Sequence, residues 1–358
     1  MPRVDIVLPV LDPGAVGAHS LALRDLLLHL GYESTVYGGE LTDALAHEGR
    51  LLAQRPTGSS EDVTIYQLAI GSDVGDIVHQ LPGRLVLNHH NITPPSYFEA
   101  WEPNIAVGLQ RGNLQLANLA THAVMTLAVS EFNAAECRAA GCQDVAVAPV
   151  LFEPDLGPPD DATVARLSAC PGSRWLFVGR LCPNKCQHDV VTAFAAYTRA
   201  YDAKARLVLV GGSTPASYGT AVAEHAARLG VAEQVEIAGS VTAAQLSAHY
   251  RAADVFVCLS EHEGFCVPVL EAWHHGLPVV AFAGAALPET IGGAGLLLPS
   301  KASPGYVAAA AARVIDDHAL RVRLVAAGHR RLEEHFAPAV ARRAMTDALL
   351  PVLPPVRR

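Results

Sequence analysis

Short, continuous apolar runs of strand length alternate with segments of helical spacing along this chain, and the whole alternation happens twice. In the first half the runs cover residues 5–10, 34–37, 63–69, 84–88, 123–129 and 145–149, with helical spacing over 18–30 and 131–140. Runs that are apolar throughout, rather than at every second position, suit strands buried on both faces. Strand, helix, strand in succession implies a parallel sheet covered by helices. Then comes Glu153-Pro-Asp-Leu-Gly-Pro-Pro-Asp-Asp161, rich in proline, glycine and acid, which reads as an interdomain linker. The pattern restarts with runs at 174–178, 205–210, 234–238, 254–259, 278–282 and 295–298, and helical spacing at 187–200, 216–229 and 242–250. Thr242-Ala-Ala-Gln245 has the form of a capping box and fixes one helix start. After Gly295 the chain reads as helical to its end, with Pro338 breaking it before 339–349. Two similar α/β halves follow, and ligands of such sheets sit at strand C-terminal ends. The cleft between the halves is the expected site.

Composition excludes several other classes. At 358 residues, half of them hydrophobic and 17% charged, the chain can build two large cores. A net charge of −9 argues against nucleic acid, which needs a basic surface. It also disfavours strong attachment to anionic lipid; peripheral membrane contact is not indicated. The N-terminus enters an apolar run directly, without a basic leader, and no stretch approaches the roughly 18 apolar residues of a membrane span. The seven cysteines are odd in number and contain no Cys-x-x-Cys pair, which points to a reducing cytoplasm. Cys182-Pro-Asn-Lys-Cys186-Gln-His188 looks like a metal loop, but Cys-x3-Cys is not the usual zinc spacing and no second pair follows. No metal or other cofactor is expected.

The chemistry concentrates in Glu263-Gly-Phe-Cys-Val-Pro-Val-Leu-Glu271. Gly264 and Pro268 oppose an unbroken helix, and proline is tolerated in a first helical turn. Glu263 therefore belongs on a loop, Gly264, Phe265, Cys266 and Val267 present backbone amides, and Glu271 stands about one turn into a helix. Free N–H groups at a helix start favour an anion, usually phosphate. Carboxylates instead accept hydrogen bonds from hydroxyls. Hydroxyls at both ends and phosphate between them describe a sugar nucleotide. A second element, Trp175-Leu-Phe-Val-Gly-Arg180-Leu-Cys-Pro-Asn-Lys185, ends a buried strand at Gly179 and places Arg180 and Lys185 at its C-terminal tip. Two cations there suit a diphosphate, the guanidinium by bidentate contact and the ammonium as a point charge. Taken alone, such charges are more often ordinary surface residues.

The order Val-Gly-Arg-Leu-x3-Lys, Leu-Val-Gly-Gly-Ser, Val-Glu-Ile-Ala-Gly-Ser-Val, the Glu263–Glu271 block, then Gly-Leu-Pro-Val-Val-Ala-Phe and Pro-Glu-Thr resembles the retaining glycosyltransferases of family 4. The resemblance covers the C-terminal half. It implies a GT-B fold, α/β, with two Rossmann-like domains facing across a cleft. The corresponding divisions are 1–152 on the acceptor side, a linker at 153–164, 165–337 on the nucleotide-sugar side, and a C-terminal helix, 338–358, returning to the first domain. It assigns Arg180 and Lys185 to the donor diphosphate, Glu263 to the transferred sugar and Glu271 to the ribose. The amides of Phe265, Cys266 and Val267 would meet sugar hydroxyls and phosphate, and the Gly239-Ser240-Val241 turn would read the base through main-chain groups.

In the first half, Pro13-Gly14-Ala-Val-Gly17-Ala-His19 follows the first strand as a glycine-rich phosphate loop would, with Gly17 facing the ligand, though no GxGxxG is present. An ordinary strand-to-helix turn is the plain alternative. Asn88-His89-His90-Asn91-Ile-Thr-Pro94 resembles an element of bacterial family members whose histidine faces the donor sugar, and His90 rather than His89 takes that position. Ser130 serves as a plain N-cap, and His274 and His275 as partners of helix C-terminal carbonyls. Residues 93–101 are a candidate wall of the acceptor pocket. The expectation is metal-independent transfer of a hexose from a UDP- or GDP-linked sugar to a hydroxyl-bearing acceptor, with retention, positioned by Arg180, Lys185, Glu263 and His90. The rivals are a GT-B sugar-nucleotide 2-epimerase and a non-catalytic sugar-nucleotide-binding protein.

Overall fold

The computed structural model describes residues 3–153 and 156–355. Pro154 and Asp155 of the expected linker, and 356–358 of the expected terminal helix, lie outside the described residues. Two compact units result, one built from the chain up to Phe152 together with the chain from Ala337 on, the other from Glu153 to Phe336.

The first unit holds β1 (Val4–Leu11), β2 (Val36–Leu41), β3 (Arg50–Leu51), β4 (Val63–Leu68), β5 (Arg84–His89), β6 (Ala123–Ala128) and β7 (Val145–Val147), in spatial order β3-β2-β1-β4-β5-β6-β7. Every pairing is parallel, with Ile6 opposite Val36 on one side of β1 and opposite Ile65 on the other. Strand β3 carried no apolar signal because both its residues are exposed. The expected strand at 34–37 begins at Val36 and runs on to Leu41, since pairing with β1 carries it through Gly38-Gly39. The helix Pro338–Leu349 contributes Ala341, Met345 and Leu349, with Leu353 beyond it, to the same core as Val4, Ile6 and Leu8. Tyr32 Oη donates to the Pro354 carbonyl at 2.9 Å and pins the chain end there.

The second unit holds β8 (Arg174–Val178), β9 (Arg206–Val210), β10 (Val235–Gly239), β11 (Val255–Cys258), β12 (Val279–Phe282) and β13 (Leu296–Leu298), again parallel, in order β10-β9-β8-β11-β12-β13. Thr242 makes the expected capping box with Gln245. One expectation is corrected: residues 161–164 of the linker are the first half of a helix, Asp161–Ser168, because Asp160 caps it by accepting from Thr163 N at 2.8 Å.

Connections from β8 run outward through β9 to β10, and those from β11 run the other way through β12 to β13. The winding thus reverses between β8 and β11, where doubly wound sheets open their ligand crevice. Adjacent strand ends along this edge are kept low by glycine. At Gly211 a Cβ would lie 2.2 Å from the Gly179 carbonyl oxygen and φ is +140°, so only glycine fits. No helix among the described residues is long and apolar enough to cross a membrane.

Candidate active site

Lys185 and Glu263 meet at the reversal point. Lys185 rides on the short 3-10 turn Pro183–Lys185 after β8, and Glu263 on the loop after β11. Asn184 stitches the two loops: its carbonyl accepts from Glu261 N at 2.9 Å and its Nδ2 donates to the His262 carbonyl at 3.0 Å. Lys185 Nζ donates to Glu263 Oε1 at 2.7 Å, with side-chain exposures of only 18% and 9%. Burial pulls the lysine pKa down, but the facing Glu263 charge outweighs it and holds the ammonium above the ordinary lysine value. An ammonium has three N–H groups, so two remain for a ligand. Arg180 is exposed, and its guanidinium has no partner among the described residues.

The helix Val267–His274 starts beside this pair through Cys266, which is left-handed at φ +75°. That conformation costs a non-glycine residue roughly 1–3 kcal/mol and persists only when its surroundings enforce it. They do: Thr290 Oγ1 donates to the Phe265 carbonyl at 2.6 Å, Ala286 N to the Glu263 carbonyl at 3.2 Å, and the Phe265 ring packs edge-on against Phe336. As a result the N–H groups of Gly264, Phe265, Cys266 and Val267 have no intramolecular acceptor among the described residues. Buried amides are nearly always paired, so four consecutive unspent donors mark a place built for an anion or hydroxyl.

Glu271 lies on the second turn of that helix, buried, and accepts from Tyr250 Oη at 2.6 Å. Burial raises its pKa, partly countered by the tyrosine hydrogen bond; burial and then the Glu271 charge lift Tyr250 well above its usual value. Tyr250 was not singled out in the sequence, where a tyrosine near the end of a helix gives no hint of its partner. His275 stacks on Tyr250 with ring centroids 5.1 Å apart, and its Nδ1 lies 2.9 Å from the Glu271 carbonyl, the capping contact expected of it. Ser240 is exposed and Val241 half-buried after β10, with Ser240 Oγ beside Gly212. Gly179 follows β8 at φ +147°.

Among the described residues, two groups of side chains have metal-ligating atoms within 4.8 Å of one another: Cys258, Glu263 and Cys266, and Cys186, His188 and Asp189. In the first, Glu263 already holds Lys185, so a cation would have to displace the ammonium. In the second, Asp189 Oδ2 is taken by Lys301 Nζ at 2.6 Å and His188 Nδ1 by Tyr218 Oη at 2.8 Å. A cavity of about 250 Å³ opens at the opposite, N-terminal edge of the sheet, between Arg174, Arg206 and Glu236, remote from all these groups.

In the first unit, His89 is buried with Nε2 3.3 Å from Glu136 Oε2, whereas His90 is half-buried. His90 Nε2 lies 2.5 Å from the Gln67 side-chain amide. Gly17 stands in the first turn of the helix Ala15–His29, where a Cβ would lie 1.9 Å from the Asp12 carbonyl oxygen. Chain packing alone therefore requires that glycine. Ser130 caps its helix by accepting from Asn133 N at 3.2 Å. His19 is fully buried, and burial lowers its pKa to about 4.

The profile of the glycosyl transferases group 1 matches residues 172–317, the stretch that carries β8 to β13 and the Lys185–Glu263 pair. Residues 172–317 are similar to a group 1 glycosyl transferase domain. A D-inositol 3-phosphate glycosyltransferase of Kineococcus radiotolerans is 35% identical over 195 residues, half of this chain. A GDP-mannose-dependent alpha-(1-6)-phosphatidylinositol monomannoside mannosyltransferase of Mycobacterium tuberculosis is 35% identical over 160 residues, 42% of this chain. The matched stretches span 42% and 40% of those relatives' own length. Anabaena HepE, solved in complex with UDP and glucose, matches with a TM-score of 0.76 at 18% identity, covering 98% of this chain and all of that one. The likeness shows that the first and second units are the two Rossmann-like domains of the GT-B fold.

Proposed function

We propose that this protein is a retaining glycosyltransferase that moves a hexose from a UDP- or GDP-linked sugar to an acceptor hydroxyl. The observation that carries the proposal is the set of four unspent amides, Gly264 to Val267, beside the Lys185–Glu263 pair at the β8/β11 reversal. The named activities of the relatives support it. The diphosphate lies against Arg180, Lys185 and the amides; the transferred sugar's hydroxyls reach Glu263; the ribose hydroxyls reach Glu271, whose hydrogen bond from Tyr250 holds it in place. Ser240 and Val241 address the base through main-chain groups. His90 donates to a sugar oxygen.

In the reaction the bond between the anomeric carbon and the phosphate oxygen breaks, and the acceptor oxygen bonds to that carbon on the same face. The acceptor proton passes to the departing phosphate oxygen. Negative charge grows on the diphosphate as the sugar gains oxocarbenium character. Arg180, Lys185 and the fixed amides stabilise that charge without reorganising, and in many enzymes such preorganised charge supplies most of the rate enhancement. They provide the positive charge a metal would otherwise bring, so turnover should survive a chelator. Incubation with UDP-glucose and with GDP-mannose, with and without candidate acceptors, tests the reading. A glycoside of retained configuration supports it; epimerised donor, or no turnover and no binding of either nucleotide sugar, contradicts it.

A further inference from the structure

The first unit holds a buried polar chain whose far end is a backbone amide, and that fixed end decides the chemistry of His90. Leu151 N donates to His19 Nδ1 at 2.9 Å. A backbone N–H can only donate, so Nδ1 of His19 carries no proton. His19 is fully buried and uncharged, and its single proton therefore sits on Nε2. His19 Nε2 lies 3.0 Å from the Asn88 side-chain amide, which lies 2.9 Å from that of Gln67, which lies 2.5 Å from His90 Nε2.

A side-chain amide can be turned end for end without changing its shape, so its neighbours decide its orientation. With Asn88 Nδ2 facing His19, the histidine would have to accept at both ring nitrogens, which no protonated imidazole can do. Asn88 must present Oδ1 to His19 and so also to Gln67. Gln67 must then present Nε2, giving one N–H to Asn88 and the other to His90. That turn leaves Gln67 Oε1, in place of Nε2, at the buried position without a partner, and an unpaired carbonyl is the better tolerated of the two. His90 Nε2 is left as an acceptor.

We infer that His19, Asn88 and Gln67 are positioning residues that fix His90 in its Nδ1–H form, so that His90 donates a hydrogen bond to a ligand oxygen and does not serve as a base. His90 is half-buried, and its Nδ1 has no partner among the described residues. The His19 ring, edge-on with centroids 4.9 Å away, keeps the His90 ring from turning over. The functional part of this inference rests on the proposed transferase reading; the protonation pattern does not.

The test is long-range proton–nitrogen NMR on the intact protein labelled at histidine, with His90→Gln used to assign the His90 signals. The expected result is opposite tautomers: His90 protonated at Nδ1 alone and His19 at Nε2 alone. A proton on His90 Nε2 overturns the inference. A second arm uses Gln67→Glu, in which an acceptor-only carboxylate replaces the donor facing His90. The His90 proton should move to Nε2, and kcat should fall at least tenfold with little change in donor KM. An unchanged His90 signal in Gln67→Glu overturns the inference as well. If the tautomers are as stated but no nucleotide sugar binds, the transferase reading fails and the relay stands.

Discussion

Lys185 has a structural duty that Arg180 lacks, because its partner Glu263 is buried and Arg180 is exposed and unpaired among the described residues. The two cations, equivalent in the sequence, are thereby separated. Lys185→Ala strands a buried carboxylate, and breaking such a pair costs about 3 kcal/mol. Urea unfolding should show that loss, together with a turnover lower by about a thousandfold from removing a preorganised donor. Arg180→Ala should lower turnover by about a hundredfold or more while leaving unfolding free energy within about 0.5 kcal/mol of the parent. Equal stability losses in the two variants would contradict the ion-pair account. Glu271 behaves in the opposite sense. Its folded pKa is raised by burial, so its contribution to stability is greatest below the unfolded carboxyl value and is lost as pH rises through the folded one. At neutral pH the buried charge therefore destabilises the unliganded protein. Glu271→Gln should raise Tm at pH 7, with the gain fading toward pH 4, and should raise donor KM. A lower Tm at pH 7 would contradict the cost of the buried charge, and an unchanged KM would remove Glu271 from the ribose.

Elements set where those residues stand. The β8/β11 reversal brings together two loops 78 positions apart in the chain, and the glycines at the strand ends let those loops lie close. Gly211→Ala would push a Cβ against the Gly179 carbonyl oxygen. Overpacking of this kind costs about 3 kcal/mol, measurable in urea unfolding, and it should weaken donor binding too, because Arg180 follows the displaced backbone. The sequence disclosed this element well: glycine and proline placed Glu263 on a loop and Glu271 in a helix, as found. It could not disclose that Cys266 would be left-handed, because that conformation is imposed by Thr290, Ala286 and Phe336. Nor could it pair Tyr250 with Glu271, two residues on different helices.

For the whole molecule, parallel layering was legible because strands buried on both faces read as continuous apolar runs. Strand β3 was not, being two exposed residues held by pairing alone. The chain end belongs to the first unit by burial: Met345 and Leu349 are 1% and 0% exposed in its core. Leu349→Ala should destabilise by about 3 kcal/mol through the cavity it leaves. Hydrogen exchange should report the loss in β1 and β4 and leave β8 to β13 protected; uniform loss would contradict the division into two units.

The proposed function requires a nucleoside diphosphate sugar to bind at the reversal point of the second unit. Calorimetric titration of the protein and of Arg180→Ala with UDP-glucose and GDP-mannose tests it most directly. One of the two donors should bind the parent protein, and Arg180→Ala, equally stable, should bind that donor at least tenfold more weakly. Binding of neither donor, or equal affinity in the variant, would contradict the account.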